Sequence, residues 1–424
     1  MAYSWKLWSS AKDLFPGGVN SPVRAALKPY PFYANKAKDA FIYSVDGDRY
    51  IDYVLGYGPL ILGHRDDRVL TRISEQLNNG WLYGIPAPVE VELARKILDH
   101  MYPDGKIRFV NSGTEATLIA IRLARGFTNR KYIVKFDGCY HGSNDYLLVS
   151  SGSAVEHYSV PASHGILGDT AKYTLVAKFN DPYSVTEIME KHGNEVAAII
   201  VEPVMGNLGV IPGDKGFLQF LRKISVEYGS LLIFDEVITG FRLALSGATG
   251  YYGIKPDLVT LGKIIGGGFP VGAVLGRKDI MDLLTPLGKV FNAGTFNAHP
   301  VIMTAGLATL EILEKGELMA ASQAAEILSS TLTDLLDDIK ITYTINRVES
   351  MFQVFFNVEQ VKNADDARRS DTALFEKFQR GLLERGVFIA PSKSESIFTS
   401  TKHRSEILEE TIEALKETVP RLGG

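Results

Sequence analysis

Ile107-Arg108-Phe109-Val110-Asn111-Ser112-Gly113-Thr114-Glu115 passes from a β-type run directly into a helix start. Beyond it, Ala116, Ile119, Ala120, Leu123 and Ala124 recur on one helical face, so the spacing predicts a strand over 107–110 and a helix over 114–126. The same alternation continues on both sides. Apolar strand-like runs lie at 132–136, 197–201, 231–234, 258–261 and 271–275, with helical runs at 89–101 and 217–228. Short apolar strands alternating with helices imply an α/β architecture, a mostly parallel sheet covered on both faces. In such a sheet the reactive loops lie at the carboxyl ends of the strands.

The flanks read differently. A helix over 7–15 is stopped by Pro16-Gly17-Gly18, and two β-type runs at 41–45 and 49–54 meet across Asp46-Gly47 as a hairpin. From 301 a long helical stretch continues to 336. Strands at 341–344, 352–356 and 387–389 and helices at 373–384 and 405–419 then form a smaller α+β unit. The expected division is a segment 1–60 joining the small domain, a large cofactor-binding domain 61–310 and a small domain 311–424. Residues 143–165, rich in Ser, Gly and His with weak periodicity, are expected to form a mobile loop beside the site.

Composition excludes several classes. The 424 residues hold one cysteine, Cys139, so no intrachain disulfide frames the fold. Forty-nine acids against 45 bases leave no basic footprint for nucleic acid. No run of about 18 apolar residues reads as a membrane span, and the first ten residues lack a charged start followed by an apolar run. A cytoplasmic protein with a small-molecule substrate is expected. The eight histidines show no metal-ligand spacing. Nucleotide phosphate loops, Gly-x-Gly-x-x-Gly and Gly-x-Ser-x-Gly are absent.

Three strings carry chemistry. Ser112 and Glu115 have capping-box spacing at a helix start, where free N–H groups and the helix dipole suit a phosphate. Taken alone, the string is more often simply a well-capped helix. Leu232-Ile233-Phe234-Asp235-Glu236 runs a strand into two acids, placing a carboxylate where it can face a cation or a protonated ring nitrogen; an isolated loop acid would look the same. In Leu261-Gly262-Lys263-Ile264-Ile265-Gly266-Gly267-Gly268-Phe269-Pro270, a lysine stands among apolar residues and glycines. Burial frees such an amine as a nucleophile, and the glycines are expected to bring backbone close to a planar ligand. A phosphate-binding helix start, a strand-end acid and a buried lysine, in that order, match the needs of pyridoxal phosphate. Tyr140 of Gly138-Cys139-Tyr140-His141-Gly142 is the candidate ring to stack on it.

With these strings, Tyr140-His141-Gly142 and Glu202-Pro203-Val204, nearly the whole chain resembles the class III aminotransferases of fold type I. The resemblance implies a large domain with a mostly parallel seven-stranded sheet plus a smaller α+β domain. It implies pyridoxal 5′-phosphate, with pyridoxamine 5′-phosphate in the cycle. Lys263 matches the Schiff-base lysine and proton shuttle, Asp235 the partner of the pyridinium nitrogen, and Ser112, Gly113 and Thr114 the phosphate cup. Tyr140 matches the stacking ring, with His141 beside it; Val237 packs the opposite face, and Asn207 donates near the ring hydroxyl. Thr295 matches a threonine that reaches the phosphate of the other subunit, which implies a homodimer.

Within that class, Phe15-Pro16-Gly17-Gly18-Val19-Asn20-Ser21-Pro22-Val23-Arg24-Ala25, Gly58-Pro59-Leu60-Ile61-Leu62-Gly63-His64 and Ala390-Pro391-Ser392 followed by Glu395 are similar to the branch that moves an amino group within one molecule. That likeness implies isomerisation of (S)-4-amino-5-oxopentanoate to 5-aminolevulinate in tetrapyrrole synthesis, without an external amino donor. Arg24 matches the clamp on the substrate carboxylate, flanked by Ser21 and Glu395, with Tyr57 at a substrate-facing position where the family often has Trp. Phe291 stands where Tyr is common. An ordinary aminotransferase or racemase on a related amino acid is the alternative within the same cofactor chemistry.

Overall fold

The computed structural model describes residues 3–151 and 159–423. Its Cα packing separates two compact units, one of Arg68–Gly316 with Lys362–Asp365 and one of Met1–Asp67, Glu317–Val361 and Asp366–Gly424.

The first of these is built on a seven-stranded sheet. Its spatial order is Gly105–Val110, Gly272–Arg277, Leu258–Gly262, Leu231–Asp235, Val196–Val201, Tyr132–Phe136 and Thr174–Ala177. Only Gly272–Arg277 runs against its neighbours, so six strands share one direction. Val196–Val201 is buried along its whole length, as expected of a strand covered on both faces. On one face, Ala116, Ile119, Ala120, Leu123 and Ala124 of helix Gly113–Thr128 pack with Val110, Ile133, Ile200, Ile233 and Val274. Phe136, Phe179 and Phe217 pack edge to face with centroids 5.4–6.0 Å apart, which ties helix Lys215–Glu227 to strand Tyr132–Phe136.

Two elements differ from the periodicity. Thr174–Ala177 is an edge strand of four residues, too short to stand out in the pattern. The helical run from 301 to 336 is two helices, Pro300–Ile312 and Leu318–Asp338, broken at Leu313–Glu317 where Gly316 takes φ 88°. That glycine supplies the left-handed backbone which ends a helix at little steric cost. Of the expected loop 143–165, Val149–Ser151 and Ser159–Pro161 pair as an antiparallel ribbon. Residues 152–158 lie outside the described residues.

In the other unit, Phe41–Ser44 and Arg49–Asp52 form the expected hairpin, and Val387–Phe388 pairs in parallel with Arg49–Asp52. N-terminal and C-terminal segments therefore share one sheet. Tyr343–Val348, Met351–Phe356 and Ile397–Phe398 form a second sheet, and its core joins Phe352, Val354 and Phe356 to Phe375, Phe378, Leu328 and Leu332 from the helices. No helix of the described residues is long and apolar enough to cross a membrane.

Candidate active site

Five parallel strands deliver the candidate residues at one edge of the sheet. Val110 leads to Ser112, Phe136 to Tyr140 and His141, Val201 to Glu202, and Gly262 to Lys263, while Asp235 ends its own strand. Ser112 caps helix Gly113–Thr128 by accepting from Glu115 N at 3.1 Å. Glu115 Oε2 reaches back to Asn111 N at 2.9 Å, one residue before the cap rather than the cap itself. The N–H groups of the first helical turn have no intrahelical acceptor and point out of the helix N-terminus along its axis, the arrangement that receives phosphate.

Asp235 is buried, and Oδ2 lies 2.7 Å from His141 Nδ1. Oδ1 accepts from Thr260 Oγ1 at 2.9 Å and from Val237 N at 3.2 Å. Burial lowers the His141 pKa despite the neighbouring carboxylate, so the ring is neutral. A carboxylate only accepts, so Nδ1 carries the proton and Nε2 keeps a lone pair. That buried Nε2 has no hydrogen-bond partner among the described residues. The pairing with Asp235 gives His141 a role that its place in a motif did not.

Val237 packs where a Cβ on Gly113 would meet its methyls at 3.1 Å and one on Gly262 at 3.2 Å. A side chain at Gly113 would therefore displace Val237 at the start of helix Gly113–Thr128. Lys263 follows the strand with φ 50°, a left-handed conformation that costs a non-glycine residue about 1–3 kcal/mol and is tolerated where neighbours enforce it. The glycines after it serve packing. A Cβ on Gly267 would stand 2.6 Å from the Ala305 carbonyl and one on Gly266 2.6 Å from a Val271 methyl, so they admit helix Pro300–Ile312 and Val271.

Sequence reasoning gave no role to Glu202. It is buried, accepting Tyr140 N at 2.9 Å on Oε2 and Gly206 N at 3.3 Å and Asn207 Nδ2 at 3.1 Å on Oε1. Burial first, and then the charge of Asp235, push its carboxyl up to about 8 against these donors. Glu236, the second acid of its string, is wholly buried and accepts from Thr239, Ala248 and Thr249, so it is structural. Cys139 is buried with its thiol pushed well up by burial, which makes it a poor nucleophile. Tyr140 is half-exposed and Thr295 exposed in the single chain.

In the other unit, Tyr57 is half-buried with φ 66°. Burial raises its phenol pKa to about 12; Glu395 and Asp52 push the same way and Arg24 opposes them. Arg24 and Glu395 thus each lie within electrostatic reach of Tyr57. Arg24 sits in the short helical turn Pro22–Ala25 and its N–H donates to Ser21 O at 3.1 Å.

The residues present fit pyridoxal phosphate. Gly113 leaves a cradle at a helix start, Asp235 is a buried carboxylate with donors on both oxygens, an orphaned His141 nitrogen stands beside it, and Lys263 follows the adjacent strand.

A class III aminotransferase family model matches residues 23–419, and the chain belongs to that family. More particularly, it is 59% identical over 420 residues to a glutamate-1-semialdehyde 2,1-aminomutase of Hyperthermus butylicus, with 99% of each chain covered. It is 54% identical to one of Aeropyrum pernix, covering 99% of this chain and 98% of that one. Among solved structures, an omega-transaminase from Sphaerobacter thermophilus superposes with TM-score 0.93 at 33% identity, covering 100% and 98% of the two chains. A glutamate-1-semialdehyde-aminomutase from Pseudomonas aeruginosa, at 24% identity and TM-score 0.86 over 99% and 94%, shares the fold.

Proposed function

We propose that this chain converts (S)-4-amino-5-oxopentanoate, glutamate 1-semialdehyde, to 5-aminolevulinate by intramolecular amino exchange with pyridoxal 5′-phosphate, a step of tetrapyrrole (porphyrin) synthesis. The observation that carries the reading is likeness along 99% of the chain, at 59% identity, to an aminomutase with this substrate in its name. Substrate and product are isomers: nitrogen passes from C4 to C5 and oxygen the other way, so no external donor or oxidant enters.

When bound, the cofactor supplies a carbonyl that exchanges amines and a ring that accepts electrons from the neighbouring carbon. The first-turn N–H groups at Gly113 and Thr114 hold its phosphate. Asp235, oriented by His141 and Thr260, keeps the proton on the ring nitrogen. Val237 and Tyr140 would pack against the ring's two faces, and Asn207 would donate toward its hydroxyl. Lys263 would supply the amine that bonds the cofactor's carbonyl and the base that moves the proton in each half of the exchange. Arg24 takes the substrate carboxylate with a guanidinium fork, and Ser21, Tyr57 and Glu395 flank it. Tyr57 is a neutral phenol at working pH and serves as a hydrogen-bond group there.

The same reading includes a cytoplasmic homodimer with Thr295 completing the neighbouring phosphate site. It is supported by the exposure of Thr295 and by exposed Leu287, Phe291 and Phe296 around it, apolar area of the kind that marks a protein interface. The test supplies glutamate 1-semialdehyde as sole substrate to the loaded enzyme and assays 5-aminolevulinate. Product that forms only after an amino donor is added would overturn the exchange in favour of ordinary transamination.

A further inference from the structure

Glu202 joins two segments that approach the site from different strands. Its Oε2 accepts from the backbone N–H of Tyr140, at the end of the loop after Tyr132–Phe136. Its Oε1 accepts from Gly206 N and from the side-chain amide of Asn207. The side chain is buried, and its hydrogen-bond partners at 140, 206 and 207 are all N–H groups. Three N–H groups on the two oxygens match the carboxylate, which only accepts; a proton on either oxygen would be a donor without an acceptor among these contacts.

This geometry fixes an orientation. An amide of Asn can present either its NH2 or its oxygen to a neighbour. Opposite Glu202 Oε1, only the NH2 is satisfied. The acceptor therefore selects one of the two faces of Asn207 and holds it by a hydrogen bond to a buried group.

We propose that Glu202 is a positioning residue, which sets the donor face of Asn207 and the height of Tyr140 against the cofactor ring while touching neither cofactor nor substrate. The inference rests on the cofactor reading above. A Gln at 202 has the same shape but one acceptor fewer. With its oxygen toward Tyr140, its NH2 faces the Gly206 N–H and the Asn207 NH2, and Asn207 turns over to offer its oxygen. With its oxygen toward Asn207, its NH2 faces the Tyr140 N–H. Either arrangement leaves a buried donor unpaired, the more costly half of a broken hydrogen bond.

The test compares Glu202→Gln, Asn207→Ala and the double variant with the full-length wild type, each loaded with pyridoxal phosphate. Readouts are the visible absorption maximum of the bound cofactor and its dissociation constant, with circular dichroism to check folding. Glu202→Gln is expected to shift the maximum and weaken retention about tenfold, the scale of one lost charge-assisted bond. Asn207→Ala is expected to shift the maximum in the same direction, and the double variant to lose less than the sum of the two singles, because the part of the Glu202 effect that passes through Asn207 is already gone. Additive losses, or an unshifted spectrum in Glu202→Gln, would overturn the positioning role while leaving the cofactor reading intact. A wild type that takes up no pyridoxal phosphate overturns both. If Glu202→Gln fails to fold, Asn207→Asp decides instead. Its carboxylate would face Glu202, and the positioning role requires a shifted spectrum that Asn207→Ala in the same position does not exceed.

Discussion

His141 Nδ1 lies 2.7 Å from Asp235 Oδ2, and both side chains are buried at the carboxyl edge of the sheet. The pair is charge-asymmetric: a neutral imidazole donates to a carboxylate whose other oxygen takes the Thr260 hydroxyl and the Val237 N–H. Asp235 is thereby held in one rotamer with its charge undiluted by a cation at His141.

Replacing His141 by Ala removes the donor and opens a polar cavity beside the carboxylate. Cofactor retention is expected to fall about tenfold, the scale of a charge-assisted bond of about 1.5–3 kcal/mol. Equilibrium dialysis against pyridoxal phosphate measures it. Unchanged retention would mean that Thr260 and the backbone suffice to hold Asp235.

Lys263→Ala should leave no cofactor fixed to the polypeptide after borohydride reduction, judged by intact mass, while wild type gains the mass of one reduced pyridoxyl phosphate. Turnover is expected to fall at least 100-fold, since a positioned acid–base group contributes about 10²–10⁴. A borohydride adduct that persists in the variant would move the reactive amine to another lysine.

Which of these features the amino-acid pattern announces depends on how local they are. Ser112, Asp235 and Lys263 each sit next to a strand, and strand, turn and motif are contiguous, so one-dimensional periodicity exposes them. The His141–Asp235 pair joins residues 94 positions apart, across the ends of two strands with Val196–Val201 between them, and no spacing announces it. Glu202 was visible only as part of a motif; its role comes from donors at 140, 206 and 207 that the sheet order brings together. The reversed direction of Gly272–Arg277 is likewise a property of pairing, because an apolar strand reads the same either way. Gly266 and Gly267 show the same limit of local pattern: glycine signals a close approach without saying to what, and here the neighbours include Val271 and Ala305.

Arg24→Ala should act on substrate binding. With the guanidinium gone, KM for glutamate 1-semialdehyde is expected to rise about 10- to 100-fold with kcat changed far less, the pattern of a lost uniform binding contact. Arg24→Lys should recover part of it, since a point charge replaces the fork. Steady-state kinetics decide, and a fall in kcat alone would remove Arg24 from the clamp.

Acid sensitivity should trace in part to His403. The ring is wholly buried, stacks on Tyr53 at 4.3 Å between centroids, and accepts the Ser400 N–H at 3.0 Å on Nδ1. Burial depresses its pKa to about 4, with Asp52 opposing. The unfolded chain protonates this ring near its ordinary value of about 6.5, whereas the folded chain refuses the proton until about pH 4. Its contribution to stability is therefore present above that ordinary value and is lost as pH falls toward 4. Linkage puts the loss between pH 7.5 and 5 at about 2 kcal/mol. Urea unfolding of wild type and His403→Gln at both pH values isolates the term, because the other titrating groups are common to the two proteins. The variant, less stable at pH 7.5 for want of the ring's packing, should lose about 2 kcal/mol less on acidification. Parallel losses in the two proteins would show that the buried ring is already protonated at pH 5 and that His403 plays no part in the acid branch.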